Sequence, residues 1–190
     1  MTSPIDALLS RRSTLAKDLQ APGPDAAQLE QILQAAHRVP DHGKIGPWQF
    51  IIFEGEARAD FGQRLAGIFQ AENPDASDKL IDFERKRFLR APVVIAVISS
   101  PDTQHKVPVW EQQLCSGAVC QNLLNATQAL GYRGQWLTEW YAYNSQVAIE
   151  LALKFEQKIA GFVYIGSGDN TLTERVRPAL TDRVSRWQAA

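Results

Sequence analysis

The sequence predicts an α+β fold, with helices layered around a small sheet. Three observations lead there. Runs rich in β-formers, such as "WQFIIFEG" and "APVVIAVISS", are separated by stretches of helical periodicity. Two of the gaps between strands hold more than one helix, whereas a regular parallel sheet would show one per gap. The chain has 190 residues, 45% of them hydrophobic, enough for one compact domain with a sizeable core.

The elements follow in order. Ile5, Leu8 and Leu9 predict a short helix over Pro4 to Arg12. In "APGPDAAQ", Ala21 to Gln28, Asp25 is the expected N-cap of a second helix. Its apolar positions, Leu29, Ile32, Leu33 and Ala36, carry it to about His37. A loop of unusual make-up comes next: "RVPDHGKIGPWQF", with two prolines, two glycines, an Asp, a His and a Lys between a helix and a strand. Loops of this kind run over the surface and often carry function. Trp48 to Gly55 is the first strand. Residues 56–72 read as a helix with Phe61, Leu65, Ile68 and Phe69 on one face, and residues 77–89 as another. "APVVIAVISS" is an unbroken apolar run, which predicts a strand buried on both faces. A long helix spans residues 108–130, with Leu114, Val119, Leu123, Leu124 and Leu130 as its apolar body and Gly131 as a left-handed stop. "YRGQWL" is a short strand, residues 144–154 a helix and "KIAGFVYIGSG" the last strand. The tail from Asn170 to Ala190 has no partner of its own.

Composition excludes several functions. A net charge of -1 supplies no basic field for nucleic acid. No apolar run reaches membrane-spanning length. The N-terminal basic pair follows the apolar stretch, the reverse of a secretory signal, so a cytoplasmic protein is expected. Cys115 and Cys120 are five apart in a predicted helix and face different ways, so they read as two half-buried thiols rather than a disulfide or a zinc site.

Three segments could carry chemistry. "RRS", Arg11 to Ser13, offers two guanidiniums and a hydroxyl, a suitable grip for a phosphate; cations at a helix C-terminus are the plainer explanation. In the Pro-Gly loop, Pro40 and Pro47 add stiffness while Gly43 and Gly46 let the backbone approach something flat or charged. Asp41 and His42 supply polar atoms there. The small residues Ser116, Gly117 and Ala118 at the front of the long helix permit close approach by another helix or a planar ligand, or simply tight packing.

Together, and in this order, these motifs resemble the nitroreductase family of FMN-dependent oxidoreductases. The resemblance is closest to its compact YdjA-type branch, through "RRS" (Arg11–Ser13), "R-x-PDH" (Arg38–His42) and "HKVP-x-WEQ" (His105–Gln112). It covers residues 5 to 180. It implies a three-layer sandwich around a mostly antiparallel sheet, a single domain over residues 1–190 with a core of about 5–168, and an arm of about 169–190 reaching over a partner. The implied assembly is a homodimer with FMN at the interface.

By the same resemblance, Arg11, Arg12 and Ser13 would contact the FMN phosphate and ribityl chain. Arg38 would be a binding arginine, and Pro40, Asp41 and His42 would reach the flavin of the other subunit. Trp136, Leu137 and Thr138 would lie beside the isoalloxazine ring, and Arg175 and Arg177 near the phosphate. Many members have a basic residue two positions after the Ser of the first motif, and here that is Leu15. Many have Pro-Ser in the loop with an Asn four residues after that Pro; here these are Asp41 and Lys44. Lys86 and Arg87, before the buried strand, are candidates for a cation near flavin N1.

The implied activity is ping-pong hydride transfer, with no side-chain nucleophile. NADH or NADPH would reduce flavin N5, and a small-molecule acceptor, nitroaromatic or quinone-like, would then be reduced. A substrate-specific flavin oxidase or dehydrogenase on the same fold, a flavin binder without turnover, and a member with an empty site are the alternatives.

Overall fold

In the computed structural model, residues 3–169 and 174–189 are described, so Asn170 to Thr173 of the predicted arm, and the terminal residues 1, 2 and 190, lie outside the description. Among the described residues, the six α-helices are α1 (Pro4–Ser10), α2 (Ala26–Ala36), α3 (Ala57–Glu72), α4 (Asp78–Arg85), α5 (Val109–Ala129) and α6 (Ser145–Glu150). Four strands are β1 (Trp48–Glu54), β2 (Val93–Ser99), β3 (Arg133–Leu137) and β4 (Lys158–Gly166). They form one sheet in the order β1-β2-β4-β3, with every ladder antiparallel.

The sheet is the middle of three layers. Every residue of β2 is buried, as its apolar run predicts. Val94, Ala96 and Ile98 point to one side, into a cluster with Phe61, Leu65 and Phe88. Val93, Ile95 and Val97 point to the other, against Ile32 of α2 and Val119 and Leu123 of α5. Removing that apolar surface from water is the main force holding the layers together.

Local chemistry sets the helix ends. Asp25 and Gln28 form a reciprocal capping box at the start of α2. Gly131, at φ 86°, stops α5. Other expectations need correction. The first helix ends at Ser10, because Arg11 is already extended. The helix expected over 77–89 breaks at Lys86 into α4 and a 3-10 turn, Arg87–Arg90; the tighter turn buries Phe88 while Arg87 and Arg90 find carboxylates. The helix expected to 154 ends at Glu150, shortly before Ala152 takes φ 53°. Leu114 belongs to the surface, not to the apolar body of α5. Cys120 is fully buried and Cys115 half-buried, both free.

Candidate functional site

After α1 the chain runs extended alongside β3, where Thr14 N–H donates to Gly134 O at 3.2 Å. Ala16 N–H donates to Gln135 Oε1 at 2.6 Å. This brings Arg11, Arg12 and Ser13 to the edge of the sheet. A cleft of about 640 Å³ opens there, and its walls include Arg11, Arg12, Ser13, Trp136, Arg175 and Arg177. Six of the twelve residues implied by the resemblance therefore meet, from three distant parts of the sequence.

The electrostatics of this cleft are unbalanced. Arg12 donates to Leu9 O at 2.9 Å, so it caps the last turn of α1 as a helix-end cation should, and it pairs with Glu174. Arg177 pairs with the same carboxylate at 2.6 Å. Arg11 has no ion pair among the described residues, and its Nη1 is buried without a hydrogen-bond partner. Burial, then Arg177 and Arg12, push its guanidinium below the ordinary arginine value. A buried donor with no acceptor is costly unless an acceptor arrives. A phosphate, with several charged oxygens, fits that need.

Trp136 is held rather than loose. Its indole N–H donates to Ala160 O at 3.1 Å, and the ring lies across Gly161, where a Cβ would collide with Nε1. Gly161 carries no local signal in the sequence, because its role depends on a cross-strand neighbour. Leu15 lines the same cleft, half exposed, where the resemblance implies a basic residue in many members. Leu137 instead packs into the core, and Thr138, half-buried, lies outside the cleft lining.

The other predicted residues lie elsewhere on the chain. Arg38 O accepts from Asn122 Nδ2 at 3.1 Å, and Pro40 O from the Cys115 thiol at 3.2 Å. His42 Nδ1 is 2.7 Å from Glu111 Oε2. Asp41 accepts Gly46 N–H at 2.7 Å through Oδ2, while its Oδ1 is buried and unpartnered. Gly43, Lys44 and Gly46 all have positive φ, which gives the loop its tight path. The loop tip thus lies at the start of α5, whereas Arg11 and Arg12 border Gln128 near its end. From Cys115 to Gln128 the helix rises roughly 20 Å. The two groups do not converge within one chain.

Lys86 and Arg87 do not line the cleft. Lys86 pairs with Asp82 at 2.6 Å, and Arg87 with Glu84 at 2.7 Å and Glu139 at 2.8 Å. The expectation of a flavin cation there is not supported by these contacts; both side chains are already paired.

A model of the nitroreductase family matches residues 8–167. The chain belongs to the nitroreductase family. Within it, "Putative NAD(P)H nitroreductase YdjA" of Escherichia coli (strain K12) is 36% identical over 163 residues, covering 86% of this chain and 87% of that protein. A nitroreductase-like family protein from Bacillus cereus shares the fold with a TM-score of 0.81 at 21% identity, covering 100% of this chain and 98% of its own. A nitroreductase with bound FMN from Bacteroides fragilis NCTC 9343 does so with a TM-score of 0.71 at 17% identity, covering 99% and 100%. The nitroreductase-like α+β sandwich expected from the sequence is the fold observed. No helix among the described residues is long and apolar enough to cross a membrane.

Proposed function

We propose that the chain is an FMN-dependent NAD(P)H oxidoreductase of the nitroreductase type. The observation that carries this reading is the unneutralised Arg11 in a cleft it shares with Arg12, Ser13, Arg175 and Arg177. These groups would hold the FMN phosphate. Trp136, fixed across Gly161, would border the ring, with Leu137 beside it packed into the core. When bound, FMN supplies the redox chemistry: it accepts hydride from NADH or NADPH and reduces a nitroaromatic or quinone-like acceptor. The protein's part is to bind, orient and screen.

The partner is a second copy. Pro40 and His42 sit far along α5 from their own cleft, at Cys115 and Glu111, and with Arg38 and Asp41 would complete the site of the other subunit. An exposed apolar face supports such pairing: Ile5, Leu8 and Leu9 on α1, with Trp110 and Leu114 on α5. Gly117, on the same helix, has open space where a Cβ would be. Exposed large apolar side chains of this kind mark candidate interaction surfaces. Residues 5–168 would form the core of a single domain, and 169–190 an arm over the partner, presenting Val176 and Trp187. The two free thiols accord with a cytoplasmic setting.

Leu15 in the cleft favours a second reading, a flavin binder that turns over slowly. One experiment separates the two. The protein is mixed with FMN, freed of excess, and its visible spectrum followed under anaerobic NADH or NADPH. Retained yellow that bleaches fast with one donor is expected. Retained yellow that persists would favour the binder, and no retained flavin would overturn the FMN site.

A further inference from the structure

Next to the cleft wall lies a buried polar network that the proposed chemistry does not use. It centres on Glu139, two residues past the end of β3. Arg87 Nη1 donates to Glu139 Oε1 at 2.8 Å, and Arg90 donates to Oε1 at 3.2 Å and to Oε2 at 2.7 Å. Tyr141 OH donates to Oε2. Arg90 also reaches the hydroxyls of Tyr141, at 3.1 Å, and Tyr164, at 3.2 Å, and those two hydroxyls are 2.8 Å apart. Glu84, itself buried, takes Arg87 from the other side and Trp140 Nε1 at 2.7 Å. Two guanidiniums thus balance two carboxylates among the rings of Phe88, Tyr141 and Tyr164.

Such a network is not explained by stability. Apolar residues of like volume commonly serve as well as a buried ion pair, so its retention calls for a reason of geometry. The backbone supplies one. Glu139 stands at φ 54°, ψ -176°, a conformation that residues with a Cβ disfavour. Such a conformation persists only where its surroundings over-determine it. Four donors on one carboxylate, from the turn before β2 and from the residues after β3, do that here. The constrained residue lies three positions after Trp136, on the same short segment that ends at the cleft.

We propose that Arg90 and Glu139 are positioning residues for the redox site. The network clamps the turn after β3 so that the strand end beside the cleft keeps one geometry, and neither side chain touches the reacting atoms. This rests on the function proposed above. Enzymatic rates are sensitive to misplacement on the scale of an ångström, with losses on the order of 100-fold.

The test uses Arg90→Met, and Tyr141→Phe as the milder variant that keeps ring volume and loses one hydroxyl. Wild type and variants are loaded with FMN and assayed with NAD(P)H and an acceptor. The expected result is a kcat reduced on the order of 10- to 100-fold for Arg90→Met and less for Tyr141→Phe, with KM and FMN retention little changed. The flavin absorption band should shift in the same variants. In cofactor-free protein, amide hydrogen exchange should quicken over residues 137–142 and not in β2. Folded variants that keep wild-type kcat, flavin spectrum and exchange would overturn the inference. A wild type that retains no FMN would overturn the functional reading itself, a result visible before any variant is made.

Discussion

Two arginine clusters lie near the end of β3, and they differ in how their charge is met. Arg87 and Arg90 are partly buried against Glu84 and Glu139, with every guanidinium matched to a carboxylate. Arg12 and Arg177 share one carboxylate, that of Glu174, and Arg11 beside them is left with a buried donor unsatisfied. Pairing turns arginine into framework. Its absence leaves a cleft whose excess positive charge an anion would balance.

The sharpest way to break this comparison is to remove the shared carboxylate of the closed cluster. Glu139→Ala leaves two partly buried guanidiniums short of a partner. A loss of about 3–5 kcal/mol in unfolding free energy is expected from urea titration. A loss under about 1 kcal/mol would show that the network is not a framework. The same group sets an acid limit. Burial raises the Glu139 carboxyl, but bonds from Arg90 and Tyr141 outweigh this and hold it below its ordinary 4.5. Its contribution is therefore present above about pH 4.5 and lost as pH falls through the lower folded value. Glu139→Gln should flatten that acid slope.

The open cluster should respond in the opposite way. Arg11→Ala with Ser13→Ala should leave stability nearly unchanged, since neither side chain is paired among the described residues. FMN binding should weaken by at least about 2 kcal/mol, roughly thirtyfold in Kd, because charge-assisted bonds to phosphate are lost. Unchanged flavin affinity in a fluorescence titration would remove the phosphate assignment.

A smaller effect is expected at the loop. The His42–Glu111 pair is exposed, so His42→Ala should cost under about 1 kcal/mol of stability. If His42 completes the partner's site, FMN should still bind more weakly, by about 0.5–1.5 kcal/mol, with the dimer intact by sedimentation. The smallest test concerns the thiols. Burial pushes Cys120 up to about 12, so Cys115 should react first with a thiol reagent and Cys120 only on unfolding. Equal rates would contradict the packing of α5.

Much of the fold was legible because it rests on local signals. The apolar run of β2, the Asp25 cap and the Gly131 stop each state their role within a few residues. The sites were legible only through the order of the motifs. "RRS" and "RKRFLR" look alike as basic runs, and what separates them is distant in sequence: Glu139 lies some 50 residues from Arg90, and Glu174 beyond 160 from Arg12. For the same reason Lys86 and Arg87 passed as candidate flavin cations until their carboxylates came into view. The division of the loop from the cleft along α5 is likewise a matter of three-dimensional length, which spacing in the chain does not express.

The bare Cα of Gly161 has a consequence for how a ligand would be received. The indole of Trp136 already occupies the space that a side chain would take, and its N–H is committed to Ala160 O. Rotamer freedom at this wall is thus given up during folding and is not withdrawn again when a planar molecule arrives. The surface acts as a preset template, so affinity gained there is not eroded by the ordering of a mobile ring.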